Sequence, residues 1–84
     1  MFIHLGGDTL VNSKKIIAIL NVESVLGANT SKEFLKTAQE EGFIANPDQK
    51  EYKSVVITDK DIYLSPISTL TLKKRASFID SLNE

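Results

Sequence analysis

The sequence predicts an α+β domain, a small antiparallel sheet of hairpins with two helices in the order β-β-β-α-β-β-α. Three observations indicate this fold class: short runs of β-branched and aromatic residues separated by turn residues, two segments with helical apolar spacing, and a length of 84 residues that suits one domain, residues 1–84. Because the strands are joined as hairpins, we expect antiparallel pairing with the helices to one side of the sheet.

The first three strands are predicted at residues 2–5, 9–11 and 16–20. Gly6 and Gly7 join the first two as a tight turn, because glycine adopts positive φ angles. A phosphate-binding loop would need a longer glycine pattern, a lysine and a helix directly after it, whereas a strand follows here. The third run is continuously apolar, which suits a strand buried on both faces, with a buried helical turn as the alternative.

The first helix is predicted to open at residues 29–31 and to end at Gly42. Thr30 and Glu33 fit a capping box, in which each side chain covers a free backbone N–H of the other residue. Gly42 suits a left-handed cap, with Phe43 placed to fold back on the last turn. The apolar stripe of this helix consists of Phe34, Leu35 and Ala38.

The second half of the chain predicts a hairpin and a final helix. Residues 54–58 and 62–65 are the strands, and residues 59–61 form the turn between them. Pro66 ends the second strand because it cannot donate a backbone hydrogen bond. Ser68 caps the helix that follows, whose apolar face consists of Leu72, Ala76 and Ile79.

Composition excludes several function classes. The formal net charge is −1, so no whole-molecule positive field draws the protein to nucleic acid or anionic membrane. The absence of cysteine excludes disulfides, thiol catalysis and thiolate metal sites, and it favours the reducing cytoplasm. No signal peptide is apparent, and the longest apolar stretch is far too short to span a bilayer. We therefore expect a cytoplasmic protein without a membrane partner.

No constellation of catalytic or metal-binding residues can be assembled from the sequence. His4 is the only histidine and has no cysteine near it, so we expect a structural or exposed side chain instead of a triad or zinc site. Asp59 and Asp61 could form a cation site, but a hairpin turn is the expected structure because aspartate favours turns. A calcium loop would need several more oxygen ligands at fixed offsets. We expect no enzyme activity, no cofactor and no metal, and a small enzyme or ligand-binding domain is the third alternative.

Three clusters of basic residues are the candidate DNA-binding sites. Each cluster can follow a nucleic-acid backbone, because phosphate contacts need only a cation with reach, although a solvated face is the alternative. The chain has a single arginine, so base-edge recognition by one protomer is not expected. In an oligomer, weak patches add up along one duplex. The candidates are Lys15, which follows Lys14, then Lys50 and Lys53, and finally Lys73, Lys74 and Arg75.

Five segments of the chain resemble the RemA and RemB family, the extracellular matrix regulatory proteins of Gram-positive bacteria. They lie at residues 2–6, 11–19, 53–58, 62–66 and 71–75, and the most specific to the RemB branch are Tyr-Leu-Ser-Pro at 63–66 and Leu-Lys-Lys-Arg at 72–75. The resemblance implies a cytoplasmic regulator that promotes expression of biofilm-matrix genes, and a ring of identical subunits that contacts DNA through arginines. It places those arginines at Lys15, Lys50 and Glu51, and a further basic residue at Lys53.

Two functions follow from the resemblance and the charge pattern. The first is a homo-oligomeric, ring-forming transcriptional regulator that binds double-stranded DNA mainly through phosphate contacts of Lys15, Lys50 and Lys53. The cluster at residues 73–75 is the second candidate surface. The alternative is an interaction module whose ring binds another matrix regulator, because Glu51 replaces a cation by an anion at a proposed phosphate contact.

Overall fold

The computed structural model describes residues 2–27 and 29–83 and shows an α+β fold with antiparallel hairpins, as predicted. A 3-10 helix before the third strand and a short helix after it are additional to the predicted elements. The elements are β1 (Phe2–Gly6), β2 (Thr9–Asn12), the 3-10 helix (Ser13–Lys15), β3 (Ile16–Asn21), α1 (Val22–Gly27), α2 (Asn29–Glu40), β4 (Ser54–Thr58), β5 (Ile62–Ser65) and α3 (Thr69–Asn83).

The strands of the described chain form two antiparallel sheets instead of one. β1 and β2 make a two-stranded hairpin with Ile3 opposite Val11. β3, β4 and β5 make a three-stranded sheet in which β4 is the central strand. Across this larger sheet, Ile19, Val56 and Tyr63 lie in one row. The central position of β4 decides where the core lies.

The core covers both faces of the three-stranded sheet, because successive residues of β4 point to opposite sides. Val55 and Val56 are both fully buried. Val55 packs with Leu35 and Ala38 of α2, whereas Val56 packs with the β1–β2 hairpin and with Leu72 of α3. The expectation that the helices lie to one side of the sheet is therefore wrong. A central strand with apolar residues at consecutive positions needs cover on both faces.

β3 is an edge strand, and the prediction that it is buried on both faces is wrong. It pairs with β4 on one side only, and Ile17 and Leu20 keep 68% and 37% of their surface exposed. A β-bulge between Ile16 and Ala18 interrupts the register at its start. A continuous apolar run does not reveal which strand of a sheet is central, because that depends on which strands pair with one another.

Both predicted turns are confirmed. Gly6 and Gly7 have φ angles of 109° and 56°, which L side chains rarely adopt. The turn between β4 and β5 is held by Thr58, whose hydroxyl donates to the Asp61 carbonyl at 2.8 Å and accepts from the Asp61 N–H at 3.0 Å. Asp59 and Asp61 therefore lie in a tight hairpin turn, as their spacing predicts.

The C-terminal end of α2 follows its predicted signal. Gly42 has a φ of 76°. Its N–H donates to the Gln39 carbonyl at 3.3 Å, and the Phe43 N–H donates to the Ala38 carbonyl at 2.8 Å, which together make a Schellman motif. The Phe43 side chain keeps 52% of its surface exposed. The end of the helix is therefore closed mainly by the backbone N–H of Phe43. The Thr30 side chain, and with it the predicted capping box, lies outside the described residues.

α3 begins at the predicted cap. The Ser68 hydroxyl accepts from the Thr71 N–H at 3.3 Å, and the Ser68 carbonyl accepts from the Leu72 N–H at 3.1 Å. Leu72 is fully buried, and Ala76 packs against the same cluster. The side chain of Ile79, the third residue of the predicted apolar face, lies outside the described residues.

Candidate nucleic-acid interface

Lys15 is the last residue of the 3-10 helix between β2 and β3. Asn12 caps this helix, and its side-chain oxygen accepts from the Lys14 N–H at 3.0 Å. The Lys15 carbonyl accepts from the Asp59 N–H at 3.2 Å, which ties the 3-10 helix to the β4–β5 turn. The Lys15 side chain is exposed, and its backbone, fixed at both ends, anchors it at the start of β3.

A cleft of about 380 Å³ lies next to Lys15, between the β1–β2 hairpin and the β4–β5 turn. Phe2 and Leu10 line it and keep 64% and 59% of their surface exposed. The charged groups of the cleft have both signs, so an anion entering it meets carboxylates as well as ammonium groups. Sequence reasoning missed Lys60, because its position between two aspartates predicts only a turn. The charged lining residues are Lys15, Asp59, Lys60 and Asp61.

Lys53 lies directly before β4 with its backbone held from two sides. Its N–H donates to the Ser65 carbonyl at 2.8 Å, and its carbonyl accepts from the Val22 N–H at 3.0 Å. The Lys53 side chain is exposed and lines a second cleft of about 210 Å³, together with Glu23 and Ser68. Lys53 is therefore an exposed cation on a backbone anchored where β4, β5 and α1 meet.

Lys50 and Glu51 lie in the loop that leads to Lys53, and both side chains are exposed. The Gln49 side chain donates to the Glu51 carbonyl at 2.7 Å, and the Gln49 N–H donates to the Asn46 carbonyl at 3.1 Å. The loop therefore has local hydrogen bonds that shape it. Its exposed carboxylate lies between two lysines in sequence, where it opposes binding of a phosphate.

The basic cluster of α3 divides into two kinds of residue. Lys73 and Lys74 are exposed. Arg75 is also exposed, and its Nη1 donates to the His4 carbonyl at 2.8 Å, which links α3 to β1. Sequence reasoning missed this contact, because a basic residue on a helix carries no signal for a partner 71 residues away.

The predicted lysines do not converge into one patch on a protomer. Lys15 precedes β3 and Lys53 precedes β4, and because these strands are antiparallel the two lysines lie at opposite ends of the ladder. At about 3.4 Å per residue, the strand from Lys53 to Asp59, the hydrogen-bond partner of Lys15, spans about 20 Å. That distance corresponds to about six base pairs of a duplex, so the two lysines suit different phosphates.

The possible metal ligands in the described residues are histidine, aspartate and glutamate side chains, because the chain has no cysteine. Among the side chains that the structure describes within residues 2–27 and 29–83, no group of three or more histidines, aspartates and glutamates could hold a metal ion. His4 is exposed, and its Nε2 donates to the Gly7 carbonyl at 2.6 Å, a link within the first hairpin. No helix in these ranges is long and apolar enough to cross a membrane.

Comparison with known proteins identifies the family. The family model described as "RemA-like: Extracellular matrix regulatory protein A-like" matches residues 2–76. The chain belongs to this family. Extracellular matrix regulatory protein B of Bacillus subtilis (strain 168) is 37% identical over 79 residues, which cover 94% of this chain and 94% of that protein. The resemblance predicted from the sequence is therefore confirmed.

Membership of the RemA-like family supports a role in extracellular matrix regulation. The matched residues 2–76 span both sheets, α1, α2 and the first part of α3. They include every basic residue predicted as a candidate, from Lys15 to Arg75. The candidate interface therefore lies in the part of the chain that the family model covers.

Proposed function

We propose that this protein is a cytoplasmic transcriptional regulator of biofilm-matrix genes, which forms a homo-oligomeric ring and binds double-stranded DNA through its phosphate backbone. The observation that carries the proposal is the fixed position of Lys15 and Lys53 at the two ends of the β3–β4 ladder. Both residues are exposed, and the backbone of each is hydrogen-bonded to a neighbouring element. Cations on fixed backbone segments keep a constant spacing, which suits contacts to a regularly repeating phosphate backbone.

Oligomerisation multiplies the local cationic contacts, of which one protomer offers only a few. The chain has a formal net charge of −1, and its exposed lysines are spread over several elements. A ring repeats the same modest contacts, and once one protomer is bound the next contact is intramolecular. Small size is a second reason for association, because a domain of this length buries only about 60–65% of the surface of its unfolded chain.

Lys73 and Lys74 of α3 form the second surface of the proposal. Both are exposed and adjacent on one helix. Arg75 uses one guanidinium N–H for the His4 carbonyl, and a guanidinium has five N–H donors in all. Arg75 is therefore a positioning residue for α3 as well as a candidate phosphate contact.

The alternative is an interaction module whose oligomer binds another matrix regulator without touching DNA. The exposed carboxylate of Glu51 favours it, because this group lies in the same loop as Lys50 and repels phosphate. The mixed charges of the cleft beside Lys15 favour it as well, since a protein partner can satisfy both signs whereas DNA offers only one.

A salt titration of DNA affinity tests the proposal. Light scattering first gives the mass of the purified protein in solution. Fluorescence anisotropy with a labelled duplex, between about 50 and 200 mM salt, then gives the slope of log affinity against log salt, about 0.9 for each phosphate contact. Lys53→Gln should lower both affinity and slope. Lys36→Gln, at an exposed position of α2, is the matched control and should change neither.

Two outcomes would decide between the alternatives. An oligomer that does not bind the duplex even at about 50 mM salt would contradict DNA recognition and favour the interaction module. A protein that stays monomeric with and without DNA would contradict both, because each depends on repeated copies.

A further inference from the structure

The two outer edges of the three-stranded sheet differ. The edge of β5 is closed by the chain itself: the Ile62 N–H donates to the Phe43 carbonyl at 2.9 Å, and the Ala45 N–H donates to the Ile62 carbonyl at 2.8 Å. Asn46 extends this pairing, because its side chain accepts from the Leu64 N–H at 2.8 Å and donates to the Leu64 carbonyl at 2.7 Å. β3, at the other side of the sheet, pairs only with β4 among the described strands.

The open β3 edge lacks the residues that usually protect an edge strand. Soluble proteins place charged side chains or proline on exposed edges to prevent pairing with other chains. β3 reads Ile-Ile-Ala-Ile-Leu-Asn, without a charge or a proline, and no residue of it is buried. Ile17 and Leu20 are among the exposed large hydrophobic residues of the protein. The edge is therefore apolar, exposed and competent to pair.

The backbone of β3 shows which residues would pair with a partner. The Val22 N–H donates to the Lys53 carbonyl at 3.0 Å, so the backbone of Val22 faces the β4 side. Bonded and unbonded pairs alternate along an antiparallel ladder, so every second residue back along β3 also faces β4. The N–H and C=O groups of Ile19 and Asn21 therefore face outward, and Ile19 lies near the middle of the strand.

We propose that this edge pairs antiparallel with β3 of a second copy of the chain, about a two-fold axis at Ile19. The inference rests on the homo-oligomer of the proposed function and names one contact within it. The two Ile19 residues form a hydrogen-bonded pair, in which the N–H of each donates to the C=O of the other. The two three-stranded sheets thereby become one continuous sheet. Such a contact is isologous and closes on itself, so a ring uses it together with a second, different contact.

Charge complementarity identifies a second copy as the partner. A two-fold axis at Ile19 brings residues equally far before and after it opposite each other, so the end with Lys15 meets the end with Glu23 of the other copy. Both side chains are exposed. Parallel pairing would bring the lysine ends of the two copies together instead. Because Lys14 precedes Lys15 on the same 3-10 helix and is also exposed, Lys14 can meet Glu23 while Lys15 remains available for DNA.

Disulfide trapping tests this register, because the chain has no cysteine of its own. Pairing about Ile19 sets Ala18 of one copy opposite Leu20 of the other as a non-hydrogen-bonded pair, with Cα atoms about 4.5 Å apart. Ala18→Cys and Leu20→Cys proteins are mixed in equal amounts with oxidised glutathione, and the products are separated by intact mass. The mixed 18–20 disulfide should exceed both homodimers, whose cysteines are diagonal neighbours too far apart for a disulfide.

The rate of cross-linking distinguishes pairing from random collision. If the two cysteines are paired, their effective concentration is in the millimolar range, against about 10 µM protein in solution. The mixed disulfide should therefore form about a hundredfold faster than the disulfide between two copies of a Gln39→Cys control, which carries its cysteine on α2.

An edge charge is an independent test of the same contact. Ile17→Lys adds this charge at an exposed side chain of β3 and should lower the mass measured by light scattering. Leu70→Lys, at a side chain that is 64% exposed on α3, should leave the mass unchanged.

The outcomes separate this inference from the proposed function. If the protein is oligomeric but the mixed disulfide forms no faster than the control, the β3 contact is wrong and the oligomer uses other surfaces. If the wild-type protein is monomeric, the inference and the proposed ring both fail. If the mixed disulfide dominates but the oligomer binds no DNA, the contact stands and the DNA proposal falls.

Discussion

At the scale of single residues, Gly6 is the glycine with the least room for a side chain. Its φ of 109° is one that L side chains rarely adopt, and a Cβ built there would lie 2.8 Å from Cγ of Pro66. Gly6→Ala therefore combines backbone strain with a clash against a rigid ring. We expect the free energy of unfolding to fall by about 1–3 kcal/mol, measured by urea denaturation at constant protein concentration.

Gly27→Ala is the matched control for this prediction. A Cβ at Gly27 would meet no other atom within 4 Å, and the φ of this residue is not positive. We expect a change of no more than about 0.5 kcal/mol there. Equal effects of the two substitutions would show that the contact of Gly6 with Pro66 does not constrain the fold.

Features that depend on residues close together in sequence could be predicted, whereas contacts between residues far apart in sequence could not. The turn at Gly6 and Gly7 follows from the conformational freedom of glycine next to strand residues. The contact of Gly6 with Pro66 does not, because the fold brings together positions far apart in sequence. The same reason hides the hydrogen bond from Arg75 to the His4 carbonyl, which only the packing of α3 on β1 creates.

At the scale of elements, Asn46 acts as an additional strand residue beside β5. Its amide makes both hydrogen bonds to the Leu64 backbone, and Leu64 is 2% exposed. Asn46→Ala leaves a buried N–H and C=O without partners, so we expect a loss of about 1–3 kcal/mol in the free energy of unfolding. Amide hydrogen exchange should accelerate at Leu64, as measured by NMR.

Gln39→Ala, at an exposed position of α2, is the control for Asn46 and should leave the exchange of Leu64 unchanged. Unaltered exchange in Asn46→Ala would contradict the role of this side chain in closing the β5 edge. It would also weaken the contrast between the β5 and β3 edges from which the β3 contact is inferred.

Elements with strong local signals could be predicted, and the relations between elements could not. The β4–β5 hairpin follows from two β-branched or aromatic runs around an aspartate turn, and the structure has the same bounds. α1 was not predicted, although Asn21 caps it by accepting from the Glu23 N–H at 2.8 Å. Six residues give too little periodicity for a pattern to be read. The edge position of β3 depends on pairing, which no single segment encodes.

At the scale of the whole molecule, the sequence identifies basic residues but not their arrangement. The structure shows the candidate lysines exposed, and it separates Lys15 from Lys53 by the length of the β3–β4 ladder. Clusters of basic residues in the sequence could indicate candidate phosphate contacts, because such a contact needs only a cation within reach and no precise geometry. In the proposed ring, the alignment of lysines from several copies along a duplex would depend on contacts between protomers, which the sequence of one chain does not reveal.

Substitution of Glu51 distinguishes the two proposed functions, because this residue is an anion at a position where the family resemblance implies an arginine. Glu51→Arg replaces repulsion by attraction next to Lys50, so we expect tighter DNA binding and a salt slope that is steeper by about 0.9 for each new phosphate contact. Glu40→Arg, exposed at the end of α2, makes the same change in net charge and should raise the affinity less. Anisotropy titrations at several salt concentrations measure both. An equal response would mean that only net charge matters and that the loop carrying Glu51 does not face DNA.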